Sequence, residues 1–114
     1  MTFDELREIA LGWAAVEDGT SYGTAALKVR GRLLARLRED GDSLVVKGVG
    51  PDQRARLIEA EPDVYYVTAH YAGWPIVLVR LSRADPAAVA ALLRRHWREL
   101  APKRDVAAFD ASRD

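Results

Sequence analysis

Three things are scarce in this sequence: cysteine, an excess of either charge, and long apolar runs. Because the chain has no cysteine, no disulfide framework or thiolate metal site is possible, and a reducing, cytoplasmic setting is expected. The 17 basic and 17 acidic residues cancel, which argues against a protein dominated by binding to the phosphate backbone. No apolar run approaches the roughly 20 residues that span a bilayer, and the first residues lack the pattern of a signal peptide. We therefore expect no membrane partner.

Patterns that carry catalysis are missing as well. The serines lack the context of a nucleophile elbow, and Asp40 and Asp42 fall in a predicted turn, where carboxylates are usually solvated. The glycines of residues 19–23 lack the spacing of a phosphate-binding loop, so we interpret this segment as a turn. One histidine, His70, cannot form a metal site alone, and His96 falls within a helical pattern. We predict a protein that is not an enzyme and that holds neither a cofactor nor a metal.

What the sequence does have is a succession of helical patterns. Thr2 and Glu5 have the spacing of a capping box, and apolar residues at helical spacing follow them. A second helix is predicted between Pro51 and Pro62, since proline is tolerated in a first turn and ends a helix elsewhere. A third helix is predicted over residues 85–102, which begin with an N-cap aspartate and a first-turn proline.

Strands are predicted between these helices. Apolar and basic residues alternate over residues 27–38 around a turn at Gly31, which indicates two half-buried antiparallel strands. A third strand is predicted over residues 44–49. The fourth and fifth are predicted over residues 64–70 and 76–81.

The predicted order is helix, three strands, helix, two strands, helix. An α+β fold in two layers follows, in which a five-stranded antiparallel sheet has its helices packed on one face. Residues 17–19 are interpreted as the turn between the first helix and the sheet. We predict a single domain over residues 1–104. A loose, mostly acidic tail over residues 105–114 would follow, with Phe109 as the residue that could pin it.

The alternation places basic side chains on one face of the predicted sheet. Lys28, Arg36 and Arg38 share parity, and Arg80 joins them from the fifth strand. A two-residue turn in the second hairpin would place Lys47 opposite Arg36. If the helices cover the other face, these groups face water. They would then contact phosphates or form a solvated polar face that nearby acids offset.

Residues 64–75 gather four aromatic side chains and one of the two histidines before a Gly-Trp-Pro turn. Tyr66, Tyr71 and Trp74 could stack on nucleobases, with His70 hydrogen-bonding beside them. The alternative is that aromatic side chains, Trp74 among them, fill the core and that His70 satisfies backbone groups.

Four segments form one further pattern: residues 22–23 with 27–32, residues 44–47, residues 68–71 with Trp74, and residues 97–104. In order and spacing they resemble the MmcQ/YjbR family, small bacterial proteins often labelled DNA-binding. The resemblance implies the element order given above, a fold like that of type III secretion chaperones, and a DNA-binding surface on the sheet and its hairpins. It implies no catalytic residues. Ala72, Gly73 and Pro75 stand where many relatives have a basic residue and an asparagine, so this hairpin carries less positive charge.

We therefore predict a non-enzymatic domain that binds nucleic acid, DNA in the first place, weakly and electrostatically. A protein-interaction module resembling secretion chaperones is the alternative, and a small-molecule role at the His70 hairpin is a third hypothesis. Lys103 and Arg104 could contact phosphate, although the helix dipole also explains basic residues at a helix end. The candidate nucleic-acid contacts are Lys28, Arg30, Arg32, Arg36, Arg38, Lys47, His70, Tyr71, Trp74, Arg80, Lys103 and Arg104.

Overall fold

A six-stranded antiparallel sheet organises the chain. The structure is a computed structural model, which describes residues 1–112. The strands in chain order are β1 (Val16–Ser21), β2 (Thr24–Val29), β3 (Arg32–Leu37), β4 (Ser43–Lys47), β5 (Tyr65–Tyr66) and β6 (Ile76–Arg80). Their spatial order is β1-β2-β3-β4-β6-β5, so β3 and β4 lie at the centre of the sheet.

The helices lie against one face of this sheet. They are α1 (Phe3–Leu11), α2 (Pro51–Ala60), α3 (Pro86–Leu100) and α4 (Lys103–Ser112). The predicted caps are present: the Thr2 hydroxyl accepts from the amide of Glu5 at 3.2 Å, and the Asp85 carboxylate accepts from the amide of Ala88 at 3.1 Å. The predicted α+β class is therefore confirmed. None of the helices in residues 1–112 is long and apolar enough to cross a bilayer.

The core lies between the sheet and the amphipathic helices α1 and α3. Its largest fully buried side chain is Trp97, whose indole N–H donates to the carbonyl of Ala14 at 2.8 Å. The Trp97 ring contacts Trp13 and Phe109 at centroid distances of 6.2 and 5.4 Å. Burying a side chain of this kind contributes about 3 kcal/mol or more to stability. Trp97 therefore joins α3 to both ends of the chain.

The sheet has six strands where the sequence predicted five, because residues 17–19 belong to β1 and not to a turn. β1 is an edge strand, and its Glu17-Asp18-Gly19 sequence carries little of the apolar alternation that marks a strand. The turn to β2 follows it at Tyr22 and Gly23, whose φ angles of 52° and 79° suit a tight hairpin.

The predicted fourth strand, residues 64–70, is shorter in the structure, where β5 comprises Tyr65–Tyr66 alone. The chain then leaves the sheet and forms successive turns, in which the carbonyl of Thr68 accepts from the amide of Tyr71 and that of Tyr71 from the amide of Trp74. We call residues 67–75 the aromatic loop. It lies at the point where β6 begins.

A helix, α4, occupies the segment expected to be a loose tail. Phe109 packs edge-on against Trp97, and Arg98 forms a paired contact with the carboxylate of Asp110 at 2.7 and 2.8 Å. Alanine-rich sequence favours a helix, and these two contacts fix it to α3. Residues 113–114 of the predicted tail lie outside the described residues.

Candidate functional site

The sheet face opposite the helices carries an open groove of about 580 Å³. Residues from three strands form its floor, and side chains from three loops surround it. We call it the open-face groove, and the residues that line it are Tyr22, Leu33, Arg36, Glu39, Val45, Lys47, His70, Tyr71, Trp74 and Ile76. Its volume falls within the range of roughly 300–1,000 Å³ that is usual for ligand sites.

Strand register explains why these residues meet. Arg36 of β3 pairs with Val45 of β4, and Lys47 of β4 pairs with Ile76 of β6. Side chains of paired residues lie on the same face, and alternate residues of one strand do so too. Val45, Ile76 and Leu78 form a small apolar cluster there, so the floor of the open-face groove is apolar with two cations set into it.

Arg36 is a deeply placed charge of the groove, with 11% of its side chain exposed. Its Nη2 donates to the hydroxyl of Tyr71 at 2.7 Å, and its Cζ lies 5.2 Å from the centroid of the Tyr22 ring. Nη1 is buried and makes no hydrogen bond within residues 1–112, and the Glu39 carboxylate lies 4.0 Å from it, beyond hydrogen-bond range. A buried donor without a hydrogen bond is costly, so this guanidinium retains hydrogen-bonding capacity that the described residues do not use.

Tyr22 forms one wall of the groove and is 86% exposed. Its φ of 52° is a conformation in which asparagine or glycine is usual, and it costs an ordinary residue roughly 1–2 kcal/mol. The tight turn between β1 and β2 requires this conformation, and the turn presents the Tyr22 ring at the edge of the groove.

The aromatic loop forms the opposite wall and presents Trp74, which is 63% exposed. Arg54 of α2 fixes the backbone of this wall, because its guanidinium donates to the carbonyls of Trp74 and Ile76 through Nη1 and of Ala72 through Nη2, each at 3.0 Å. His70 lies edge-on to Tyr71 at a centroid distance of 4.7 Å. The predicted alternative that Trp74 fills the core is wrong.

Similarity to known proteins agrees with the predicted resemblance. Residues 11–99, which include every strand of the sheet, match the model of the YjbR family. This chain belongs to the YjbR family. Curated relatives include the uncharacterized protein Rv2570 of Mycobacterium tuberculosis and the uncharacterized protein Mb2600 of Mycobacterium bovis, each 38% identical over 72 residues.

These alignments cover 63% of this YjbR family member and 56% of each relative, so the chain spans about half the length of the curated relatives it matches. No solved structure matches the chain significantly.

Five of the twelve residues predicted for the site of this YjbR family member line the open-face groove. They are Arg36, Lys47, His70, Tyr71 and Trp74. The predicted pairing of Lys47 with Arg36 is wrong, since Arg36 pairs with Val45. The reason is that the Asp40 carboxylate accepts from the amides of Asp42 and Ser43 and so stabilises a longer hairpin loop than the two-residue turn expected.

Arg38 and Arg80 flank the groove around the ring of Tyr66. The Cζ of Arg80 lies 4.0 Å from the Tyr66 centroid, and Arg38 Nη1 lies 3.5 Å from the Tyr66 hydroxyl. The hydroxyls of Tyr66 and Ser43 are 2.6 Å apart. Both arginines contact Tyr66 and are not among the residues that line the groove.

The other predicted cations lie apart from the groove. Lys28 is on the same face but on β2, opposite Glu17 of the edge strand. Arg32 pairs with Val29, whose side chain is in the core, and so belongs to the helix side of the sheet. A separate depression of about 530 Å³ is lined by Arg30, Lys103 and Arg104 together with Ala15, Pro102 and Asp105. The predicted basic residues therefore form a central group and a separate group near α4.

Proposed function

We propose that this YjbR family member binds nucleic acid through the open-face groove. The observation that carries the proposal is the Arg36 guanidinium, which lines the groove beneath the exposed ring of Tyr22 and has one nitrogen without a hydrogen bond within residues 1–112. A nucleic acid has both a phosphate for the guanidinium and bases for the aromatic rings. Its phosphate accepts from the guanidinium, and its bases stack on aromatic rings.

The expected affinity is modest because few charges take part. Arg36 and Lys47 are the cations that line the groove, and Glu39 lies beside them. Two phosphate contacts on a single strand give a slope of log K against log salt of about −1.4, hence a loss of about seven-fold between 50 and 200 mM salt. Zero net charge adds no long-range attraction.

Fluorescence anisotropy with labelled oligonucleotides tests the proposal, and Lys47→Gln is the deciding variant. We expect it to weaken binding to all sequences and to reduce the salt slope by about 0.7, since one phosphate contact is lost. Lys103→Gln is the matched control, because Lys103 lies outside the groove. Its affinity and salt slope should equal those of the unchanged protein.

Two results would contradict the proposal. One is equal loss of binding in the two lysine variants. The other is no binding up to about 100 μM protein at about 50 mM salt, where even non-specific complexes form. The predicted alternative, a protein-interaction module, would then be favoured, since the apolar floor at Val45 and Ile76 also suits an apolar side chain.

A further inference from the structure

We infer that the open-face groove recognises an unpaired nucleobase, so that the protein selects single strands over duplexes. This inference rests on the proposed function and adds to it the form of nucleic acid that binds. It concerns the aromatic walls and the apolar floor rather than the cations.

The two exposed rings come from opposite sides of the groove. Tyr22 is in the turn between β1 and β2, and Trp74 is in the aromatic loop between β5 and β6. The central strands β3 and β4 separate these two hairpins in the sheet. Both rings line the same open-face groove, whose volume of about 580 Å³ is large enough for a nucleobase.

The floor between these walls is apolar. Leu33, Val45 and Ile76 lie there, and phosphate oxygens gain nothing from such contacts. A nucleobase does gain, because its faces are apolar and every base has a π-face that can stack. The cations Arg36 and Lys47 remain available for the phosphate or for the polar edge of the base.

Each wall has a contact that orders it before any ligand arrives. Tyr22 lies over the Arg36 guanidinium, and Arg54 holds the backbone carbonyls of Ala72, Trp74 and Ile76. Groups that are already ordered lose little conformational entropy on binding. In a duplex, however, base faces are covered by their neighbours and cannot reach these rings. A base that is neither paired nor stacked can therefore make more contacts with the groove than a base in a duplex can.

The deciding experiment compares the affinities of four probes that carry the same label. They are a single strand, the same sequence as a blunt duplex, an abasic strand of equal length, and a mononucleotide. We expect the single strand to bind more tightly than the abasic strand by about 5-fold to 150-fold, the effect of one stacked base, and more tightly than the duplex. The Tyr22→Ala and Trp74→Ala variants should each reduce this preference. Ile9→Ala, an exposed apolar residue of α1, is the control and should retain it.

Tryptophan emission gives a second readout that does not depend on charge. Trp74 is exposed in the groove, whereas Trp97 is fully buried and Trp13 packs against it in the core, so a stacked base should quench Trp74 alone. The quench should disappear in Trp74→Phe, which keeps an aromatic ring and hence the wall.

The outcomes separate the two proposals. If single strand, abasic strand and duplex bind equally, the base inference is wrong while nucleic-acid binding stands. If none of them binds, both fail. A mononucleotide that binds as tightly as the strand would support base recognition but overturn the proposed function, since the ligand would then be a free nucleotide.

Discussion

Gly48 is a residue whose conformation and surroundings both exclude a side chain. Its φ is 78°, and a Cβ placed there would lie 2.9 Å from Cγ of His96 and closer still to Nδ1. Gly48 directly follows β4, and His96 is on α3, so the missing side chain lets the helix approach the end of the strand that carries Lys47. The sheet and α3 are in contact here because glycine occupies this position.

We predict that Gly48→Ala destabilises the protein more than Gly31→Ala does. Gly31 has a similar φ of 81°, but a Cβ at Gly31 would have no neighbouring atom within 4 Å, so this variant experiences only the backbone cost of about 1–2 kcal/mol. Gly48→Ala adds the collision with His96. Urea unfolding of the two variants measures the difference, and equal midpoints would show that the His96 contact is unimportant.

Alternation in the sequence identified some groove residues and missed others for a physical reason. Arg36 and Lys47 were found because an alternating pattern places basic residues on one face. Tyr22 and Arg54 were missed, since each acts through a tertiary contact with a distant segment. A tyrosine before Gly23 in a tight hairpin was the available local signal for Tyr22, because few residues tolerate positive φ.

Helix α2 acts on the groove through one side chain. Arg54 donates three hydrogen bonds to carbonyls of residues 72–76, each at 3.0 Å. We predict that Arg54→Ala loosens the aromatic loop, with faster hydrogen exchange at residues 67–75 and a stability loss of about 1–3 kcal/mol. The backbone that positions Trp74 would then be ordered only on binding, so affinity should also fall.

Arg56→Ala on the same helix is the control. Arg56 is exposed, and its side chain makes no hydrogen bond or ion pair within residues 1–112, so exchange in the aromatic loop should stay unchanged. If hydrogen exchange in the aromatic loop became faster to the same extent in both variants, α2 as a whole, and not the hydrogen bonds of Arg54, would support the loop.

Elements with strong local signals were predicted well, and elements that depend on their neighbours were not. α1 and α3 have caps and one apolar stripe, which suffice to define a helix. β1 is polar and exists because β2 offers it a hydrogen-bonding partner. α4 likewise depends on Trp97 and Arg98 of α3, two contacts that its own sequence does not encode.

Across the whole molecule, zero net charge conceals an uneven distribution of charge. Arg36, Arg38, Lys47 and Arg80 share the open face, while Glu39 and Asp42 lie in the adjoining hairpin loop. The acids beside the groove offset part of this positive charge. The weak salt dependence that we predict agrees with this distribution of charge.

The stability of the molecule should depend on pH through two groups at different places in the fold. Burial lowers the pKa of His96, and the positive charges of Lys47 and Arg32 lower it further, while Glu99 opposes them. The pKa of Asp40 is lowered from its ordinary value of 3.8, chiefly by the hydrogen bond from the Ser43 hydroxyl and by the amides of Ser43 and Asp42. Each group therefore binds a proton less readily in the folded chain than in the unfolded one.

We predict that stability falls first as the pH drops below about 6.5, because the unfolded chain then protonates His96 while the folded chain resists. A second loss, due to Asp40, begins only as the pH approaches 3.8 and continues towards its lower folded pKa. Urea unfolding between about pH 8 and 5 measures the first loss, and His96→Gln, which cannot titrate, should reduce the slope in that window. An unchanged slope in His96→Gln would mean that the loss between those values comes from another group, and the contact of α3 with the end of β4 would then have no part in the acid response.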